Sequence, residues 1–409
     1  IVSRDWSSDV CSSDLDIVII GSGPAGLSFA CSMLELGIKV LLIERSNFES
    51  ISNPKEDGRE IALTHLSLKI LKKLGVWELI DQSQVAPLKE AKVFDGDSPS
   101  LLNFKPDQKN IDALGYLVPN HLIRQALFDR IKDADNIDLK TDAMVSDVKQ
   151  QKNNAQVILE NGDIIDAKLV IAADSRFSEI RRKVGIPTLM KDFSKVMIVT
   201  KMTHEKPHHN IALECFDYGK TLALLPMVGS ASSVVLTVKT NESKKMLDMS
   251  DAEFNKFITH FFKHEFGEMT QAGVRHSYPL IGTHAQTFIA QRFALIGDAS
   301  VGMHPVTAHG FNLGLRGQDI LANLVKEALD HGQDIGSDAL LKLYEKKHIN
   351  LTRLMFFGTN GVVALFTNDA PVIKQVRRIV LKIAEHFPPV KYLISQHLTE
   401  AKKSKFLPF

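Results

Sequence analysis

An α/β protein is predicted: a parallel sheet wound with helices, interrupted by an antiparallel sheet and closed by a helical, basic C-terminal region. Three observations carry that prediction. An apolar, β-branched run at 16–20 meets a glycine-rich turn and then a helical pattern. Short alternating or apolar runs divided by turn residues fill 196–239. Beyond Leu351, apolar helical stretches alternate with Arg and Lys. The expected division is a tail at 1–14, a nucleotide-binding unit at 15–83, 119–185 and 280–335, an inserted sheet at 84–118 and 186–279, and a helical region at 336–409.

Composition narrows the class. Hydrophobic residues make up 44% and charged residues 24% of the 409, which excludes collagen-like, disordered and disulfide-scaffold chains. Lys and Arg number 49 against 48 Asp and Glu, so a net charge of +1 gives nucleic-acid binding no support. No run of about 18 residues is free of charge, and no membrane-spanning helix is expected. Cys11, Cys31 and Cys215 are scattered, which fits a reducing cytoplasm.

Residues 1–14 (IVSRDWSSDVCSSD) repeat Ser-Ser-Asp, have no apolar period, and lack the basic and apolar regions of a signal peptide. They resemble translated adapter sequence and are set aside as a non-native or disordered tail. Next, 16–20 (DIVII) reads as a buried strand. Gly21, Ser22, Gly23, Pro24, Ala25 and Gly26 follow, then LSFACSMLEL in helical pattern, closed by Gly37. Pro24 suits a first helical turn, where no amide donor is needed. The glycines let the backbone turn tightly and approach a pyrophosphate at the positive end of the helix. A second strand, 39–43, ends in Glu44, whose carboxylate can accept both ribose hydroxyls of an adenosine, with Arg45 beside it. Strand, motif, helix, strand and acid in that order predict a Rossmann-type dinucleotide site. A second such motif and a paired redox cysteine near Cys31 are both missing, which disfavours a two-dinucleotide disulfide reductase.

Further along, Asp57 opens the stretch DGREIAL, and Asn120 opens the helical HLIRQALFDRI, as a plain N-cap or a polar ligand. Asn161-Gly162 marks a hairpin between 156–160 and 163–166. The strand 168–171 leads into AADSRFSEIR, which holds Asp174. Strands at 196–202, 211–215, 221–226 and 233–239 predict the inserted antiparallel sheet. His204, His208 and His209 share a Pro-containing turn with no further ligand at helical spacing, so a structural role is preferred and no metal is expected. Ser250 and Glu253 form a capping box opening a helix whose Phe254, Phe257, Phe261 and Phe262 make a core face. A last strand, 293–296, meets Gly297-Asp298-Ala299 and then MHPVTAHGFNLGL.

These stretches, in one order over 16–319, resemble the flavin monooxygenases related to para-hydroxybenzoate hydroxylase. DGREIAL resembles their DxR segment, AADSRFSEIR their Asp-Gly motif, and GDA with MHPVTAHGFNLGL their GD…HP…GxNxGL signature. The spelling is most like the 5-demethoxyubiquinol hydroxylase branch of the ubiquinone-biosynthesis hydroxylases. The resemblance implies an FAD site at residues 21–26, Glu44, Arg45, Arg59, Asn120, Asp174, Gly297, Asp298, Gly310, Phe311 and Asn312. His304, Pro305 and His309 would stand on the reacting side. Asp298 would hold a ribityl hydroxyl, Arg59 would lie over the flavin or its pyrophosphate, and the amides after Gly310 would stabilise negative charge on reduced flavin. The implied reaction hydroxylates the ring of a polyprenyl phenol or quinol in ubiquinone biosynthesis, with NAD(P)H and O2, through a flavin C4a-hydroperoxide. No side chain is implied as an obligatory base.

Two positions depart from the family spelling. Ser175 replaces a glycine and must tolerate the turn a glycine takes easily. Ala308-His309 replaces Gly-Gln before Gly310, leaving His309 a flavin-side donor, a neighbouring polar group or a loop residue. Competing readings are another flavoenzyme on this fold, such as a halogenase or isoprenoid reductase, and a non-catalytic FAD-containing member of a biosynthetic complex. The tryptophan-containing signatures of the former are absent, since the only tryptophans are Trp6 and Trp77. From Lys342 onward, 12 Lys and Arg stand against 4 Asp and Glu. An apolar substrate and that basic helical end predict a cytoplasmic protein in peripheral contact with the inner face of the membrane, with a place in a ubiquinone-biosynthesis complex.

Overall fold

The computed structural model describes residues 15–95, 102–106, 112–217, 220–305 and 309–367. The N-terminal tail with Cys11, and the basic residues Arg377, Arg378, Lys382, Lys391, Lys402 and Lys403, lie outside them.

The chain opens with strand Leu15–Ile20 (β1), helix Pro24–Ser32 (α1), strand Val40–Ile43 (β2) and a helical turn Glu49–Ser52 (α2). Strand Glu60–Leu63 (β3), helix His65–Lys73 (α3), and strands Ala86–Leu88 (β4), Glu90–Asp95 (β5), Leu102–Phe104 (β6) and Gly115–Pro119 (β7) follow. Then come helix Asn120–Ile131 (α4), strands Ile137–Lys140 (β8), Val145–Gln150 (β9), Ala155–Leu159 (β10) and Ile164–Ala172 (β11), and the turn Glu179–Lys183 (α5). The long strand Thr188–His204 (β12) precedes Ile211–Asp217 (β13), Lys220–Pro226 (β14) and Ala231–Lys239 (β15), helices Thr240–Leu247 (α6) and Asp251–Phe261 (α7), and strand Met269–Gln271 (β16). Strands His276–Ala285 (β17), Ile289–Ala290 (β18), Phe293–Leu295 (β19) and Val301–Gly302 (β20) lead to helices His309–Asp330 (α8) and Asp338–Thr367 (α9).

The first sheet runs β18-β19-β11-β1-β2-β8, with β10 and β9 continuing antiparallel from β11. β1 lies parallel to both β2 and β11, so its apolar run is buried on both faces, as a parallel strand covered by helices requires. The Asn161-Gly162 hairpin joins β10 to β11, with Gly162 at φ +92° as its turn demands. α1 stops at Ser32 rather than running on to Gly37. Its last carbonyls are met by the Met33 amide, and Gly37 serves the later turn into β2 at φ +65°.

The second sheet has nine strands, in the path β20-β17-β12-β15-β14-β13-β5-β6, with β16 on β12. β12 outruns its predicted 196–202 because it bulges between Asp192 and Val196 and pairs with β17 on both sides of the bulge. The predicted boundary at 279/280 therefore falls inside β17, and β20 also joins this sheet. β4 and β7 form a third sheet with β3 instead, so 84–118 is divided between two sheets. One face of the nine-stranded sheet carries Ile198, Met202, Leu213, Leu222, Leu224, Val234 and Leu236 against Phe254, Ile258 and Phe262. The capped helix α7 thus closes a core, with the Ser250 hydroxyl accepting from the Glu253 amide. The other face turns toward β3 and the first sheet: Tyr278 Oη donates to the Asp57 carbonyl at 2.8 Å, and Ser233 Oγ to the Gly58 carbonyl at 3.5 Å.

α9 bears on the expectation that the chain has no membrane-spanning helix. Over Asp338–Phe366 it is long and apolar enough to do so by length and composition, with Arg353 interrupting the apolar run. Its first half is nevertheless core. Leu341, Tyr344, His348 and Thr352 are fully buried, Tyr344 Oη donates to the Leu295 carbonyl at 2.7 Å, and a Cβ at Gly317 of α8 would stand 2.6 Å from the His348 ring.

Candidate active site

The site is built around the turn from β1 into α1. Gly21 sits at φ +104°, and a Cβ there would stand 2.7 Å from the Ala173 carbonyl oxygen. A Cβ at Gly26 would lie 2.0 Å from the Gly21 carbonyl oxygen. Both positions therefore demand glycine. Among the described residues nothing lies within 4 Å of a Cβ placed at Gly23, so space for a ligand opens at the helix start. Pro24 occupies the first turn, no side chain caps α1, and its free amides point into that space. Ala25 packs against Gly297, where a Cβ would approach to 2.5 Å.

Glu44 closes the cradle from β2. Its Oε2 accepts from the Ser22 amide at 2.8 Å and the Ser22 hydroxyl at 3.0 Å, while Oε1 accepts from the Ser46 amide at 2.9 Å. Burial raises its pKa, but those hydrogen bonds outweigh it and hold the carboxyl below its ordinary value. It is thus an anion fixed beside the turn. Arg45 is exposed next to it. Across the cradle, Asp174 follows β11 with its Oδ1 buried and without a hydrogen bond, and burial raises its pKa. A buried acceptor left open at a nucleotide cradle fits a donor arriving with a ligand. Ser175 needs no left-handed backbone here: it is absent from the positive-φ residues, and its hydroxyl accepts from the Phe177 amide at 3.2 Å.

Asp57 organises the flank. Its Oδ2 accepts from Arg59 Nη2 at 2.6 Å, Arg59 Nε at 3.1 Å and Asn120 Nδ2 at 2.7 Å. Burial raises the Asp57 pKa, but Arg59 and Asn120 overcome it and the net shift is downward. The Arg59 guanidinium lies 5.6 Å from the Tyr278 ring centroid. Asn120 is not the N-cap of α4; Pro119 is, and Asn120 is the buried first helical residue that ties α4 to Asp57. The motif thus needs Asn120 as a donor to a carboxylate.

Gly297, at φ +59°, turns the chain out of β19, and Asp298 pairs with Arg176 at 3.0 Å while 40% of its side chain stays exposed. His304 is buried against Phe193, ring centroids 4.7 Å apart. Burial, with Lys195 and Arg176 nearby, pushes its imidazole down to about 4, so it is neutral at pH 7. Pro305 is exposed, and 306–308 lie outside the described residues. α8 begins at His309, one residue ahead of Gly310, and His309 is buried. Among the described residues a Cβ at Gly310 would meet only Met303, at 3.9 Å, so none of them crowds this helix start. Phe311 packs at the edge of the main core. Asn312 is committed to the fold: Oδ1 accepts from the Thr64 amide at 3.1 Å and Nδ2 donates to the Ala62 carbonyl at 2.8 Å. Its side chain latches α8 to β3.

Both ring nitrogens of His204 and of His208 are taken up, by the Lys206 carbonyl and Ser232 hydroxyl, and by the Met227 carbonyl and Asn210 amide. The adjoining cavity of about 330 Å³, lined by His208, His209, Lys92 and Leu213, opens on the α7 side of the sheet, away from the cradle. Sequence reasoning missed Asp57 as the hub and Tyr278 as its distant partner, because 221 residues separate them. It also missed Ser22 as the donor that orients Glu44.

Comparison with known proteins agrees with this geometry. The family described as FAD binding domain matches residues 14–355. The ubiquinone hydroxylase UbiM of Neisseria meningitidis is 46% identical over 388 residues, covering 94% of this chain and 84% of that protein. The 3-demethoxyubiquinol 3-hydroxylase of Escherichia coli is 25% identical over 371 residues, covering 90% and 94%. At branch level, identity thus favours UbiM over the demethoxyubiquinol hydroxylase that the motif spelling suggested. Among solved structures, the p-nitrophenol 4-monooxygenase PnpA of Pseudomonas putida shares the fold, with a TM-score of 0.74, 17% identity and coverage of 95% of this chain and 98% of that one. The open helix starts, the Glu44 anion and this likeness over nearly the whole chain agree: the protein belongs to the FAD-binding family of flavin-dependent hydroxylases that includes the ubiquinone hydroxylases.

Proposed function

We propose that the protein hydroxylates the aromatic ring of a polyprenyl phenol or quinol on the route to ubiquinone, with FAD as cofactor, NAD(P)H as reductant and O2 as oxidant. The observation that carries the reading is the Glu44–Ser22 cradle beside the open turn at Gly23, in a chain 46% identical to a ubiquinone hydroxylase. Bound FAD supplies the two-electron chemistry that activates O2. The chain's own residues do the rest. Glu44 offers the remaining lone pairs of a fixed carboxylate to ribose hydroxyls. The amides opening α1 meet the pyrophosphate, and those opening α8 present a positive end to developing negative charge. His304, held neutral, adds no charge there. The Asp57–Arg59–Asn120–Tyr278 network ties the second sheet to the segment leading into β3 and to α4.

The same reading places the protein on the inner membrane face, where a polyprenyl ring resides, in association with other enzymes of that route. Leu354, Phe357 and Val362 stand exposed on the second half of α9, ahead of the basic residues 368–409. The test of function is NAD(P)H oxidation by the purified, FAD-loaded protein with 2-prenylphenol, followed by mass spectrometry. A product heavier by one oxygen atom is expected; oxidation without any oxygenated product from a range of prenyl phenols would overturn the reading.

A further inference from the structure

The face of the nine-stranded sheet that meets Asp57 and Gly58 can be followed residue by residue away from that contact. Tyr278 pairs with Met197, Met197 with Thr237, Thr237 with Thr221 and Thr221 with Phe216. One row along, His276 pairs with Val199, Val199 with Val235, Val235 with Ala223 and Ala223 with Glu214, which pairs in turn with Val93. Glu214 therefore looks out from the face carrying Tyr278 and Ser233, and away from the α7 core.

Its surroundings are apolar. Val93 and Ala223 flank it, and Phe216, Leu102, Phe104, Leu114 and Phe366 form a cluster beside it, with the Phe216 and Phe366 rings 4.3 Å apart. Lys92 and Lys220 on the same strands alternate to the opposite face, where Lys220 reaches Glu242 and the Phe257 ring. Among the described residues no hydrogen bond or ion pair forms at the Glu214 carboxyl. The residue as a whole is half-buried rather than sealed in packed core. Burial alone pushes its pKa up to about 8. An apolar residue would suit the fold better here, since an unpartnered buried carboxyl costs stability. What it fits is an apolar ligand bearing a hydroxyl.

We propose that Glu214 is the ring-hydroxyl anchor of the substrate site: its carboxyl accepts the hydrogen bond of a phenolic O–H while Val93, Ala223 and Phe216 contact the apolar frame. The inference rests on the function proposed above and adds which atom of the substrate is held. Fixing one ring oxygen against the sheet fixes which ring carbon faces the flavin side, so Glu214 is a specificity-determining residue.

The experiment compares FAD-loaded wild type with Glu214→Leu and Glu214→Gln, using 2-prenylphenol and its methyl ether as probes. Wild type is expected to bind the phenol at least tenfold more tightly than the ether, because a site built for a hydroxyl rejects the analogue lacking it. In Glu214→Leu that preference should fall below about twofold, while Glu214→Gln, which keeps an acceptor oxygen, retains part of it. NAD(P)H oxidation in the Leu variant should shift from hydroxylated product to hydrogen peroxide, with altered ring position in the product that remains. FAD content and melting temperature at or above wild type separate this from misfolding. Undiminished preference for the phenol in a folded Leu variant would overturn the anchor. If wild type hydroxylates phenols without preferring phenol to ether, the anchor alone fails; if wild type hydroxylates none, the functional reading fails with it.

Discussion

Glu44 and Glu214 show how neighbours decide what a carboxyl does. At Glu44 three donors hold an anion at the candidate cofactor cradle; at Glu214 no donor among the described residues does. Replacing Glu44 with Ala removes the proposed ribose acceptor and releases Ser22, and should weaken FAD binding by about 1.5–3 kcal/mol, read as faster flavin loss on dialysis. Glu214 and Glu60, whose carboxyls are both pushed up to about 8, have the opposite linkage. Between their ordinary value of 4.5 and about 8 the unfolded chain loses the proton that the folded chain keeps, so stability falls as pH rises. Glu214→Gln should flatten that fall and add on the order of a few kcal/mol near pH 8, measured by denaturant unfolding across pH. An unchanged slope would show that this carboxyl does not titrate between those limits. His304 acts at the other end, since its depressed pKa removes stability as pH falls from 6.5 toward 4. Residues 21–26 and Glu44 were legible because their chemistry lies within one strand–turn–helix–strand unit. Glu214 was not, because nothing in its own strand tells whether the face it occupies is filled.

At the level of elements, local signals gave the turns and caps, while tertiary pairing set the ends. The Asn161-Gly162 hairpin and the Ser250–Glu253 box were readable because a few consecutive residues satisfy one another. The ends of α1 and β12 were not, since Met33 and the β17 partner fix them. Asn120 illustrates the same limit: its spelling fits a cap, but only the fold brings Asp57 within 2.7 Å of it. Crossing of α1 over β1 depends on Gly26, where the 2.0 Å approach to the Gly21 carbonyl leaves no room even for a methyl group. Gly26→Ala should therefore part helix from strand, costing roughly 2–4 kcal/mol and most of the bound FAD. Gly23→Ala meets no atom of the described residues and should keep the fold, losing flavin affinity through the ligand's space alone. Melting temperature and flavin content of the pair separate the two effects. Equal melting temperatures would refute the packing argument.

Across the whole molecule, α9 joins the parts and carries the charge contrast. Its first half is pinned to β19 through Tyr344, while its second half reaches Phe216 on the far strands through Phe366 and exposes 57% of Leu354, 54% of Phe357 and 40% of Val362. A helix with Tyr344, His348 and Thr352 buried in protein cannot turn that half to lipid without leaving the core. The exposed half can meet a bilayer surface while the first half stays packed. From Lys342 onward the 12 Lys and Arg against 4 Asp and Glu favour an anionic surface, each basic residue near it contributing about 1 kcal/mol. Salt-sensitive binding to phosphatidylglycerol liposomes is therefore expected in co-sedimentation. Reversing Arg377, Arg378 and Lys382 to Glu should release the protein at low salt, and Phe357→Ser should weaken binding at every salt concentration because its contribution is apolar burial. Both variants should still oxidise NAD(P)H with soluble short-chain prenyl phenols, since the cradle at Gly21 and Glu44 lies on the first sheet. Equal sedimentation of all three proteins, or none by wild type, would leave α9 as a strut between the two sheets and no more.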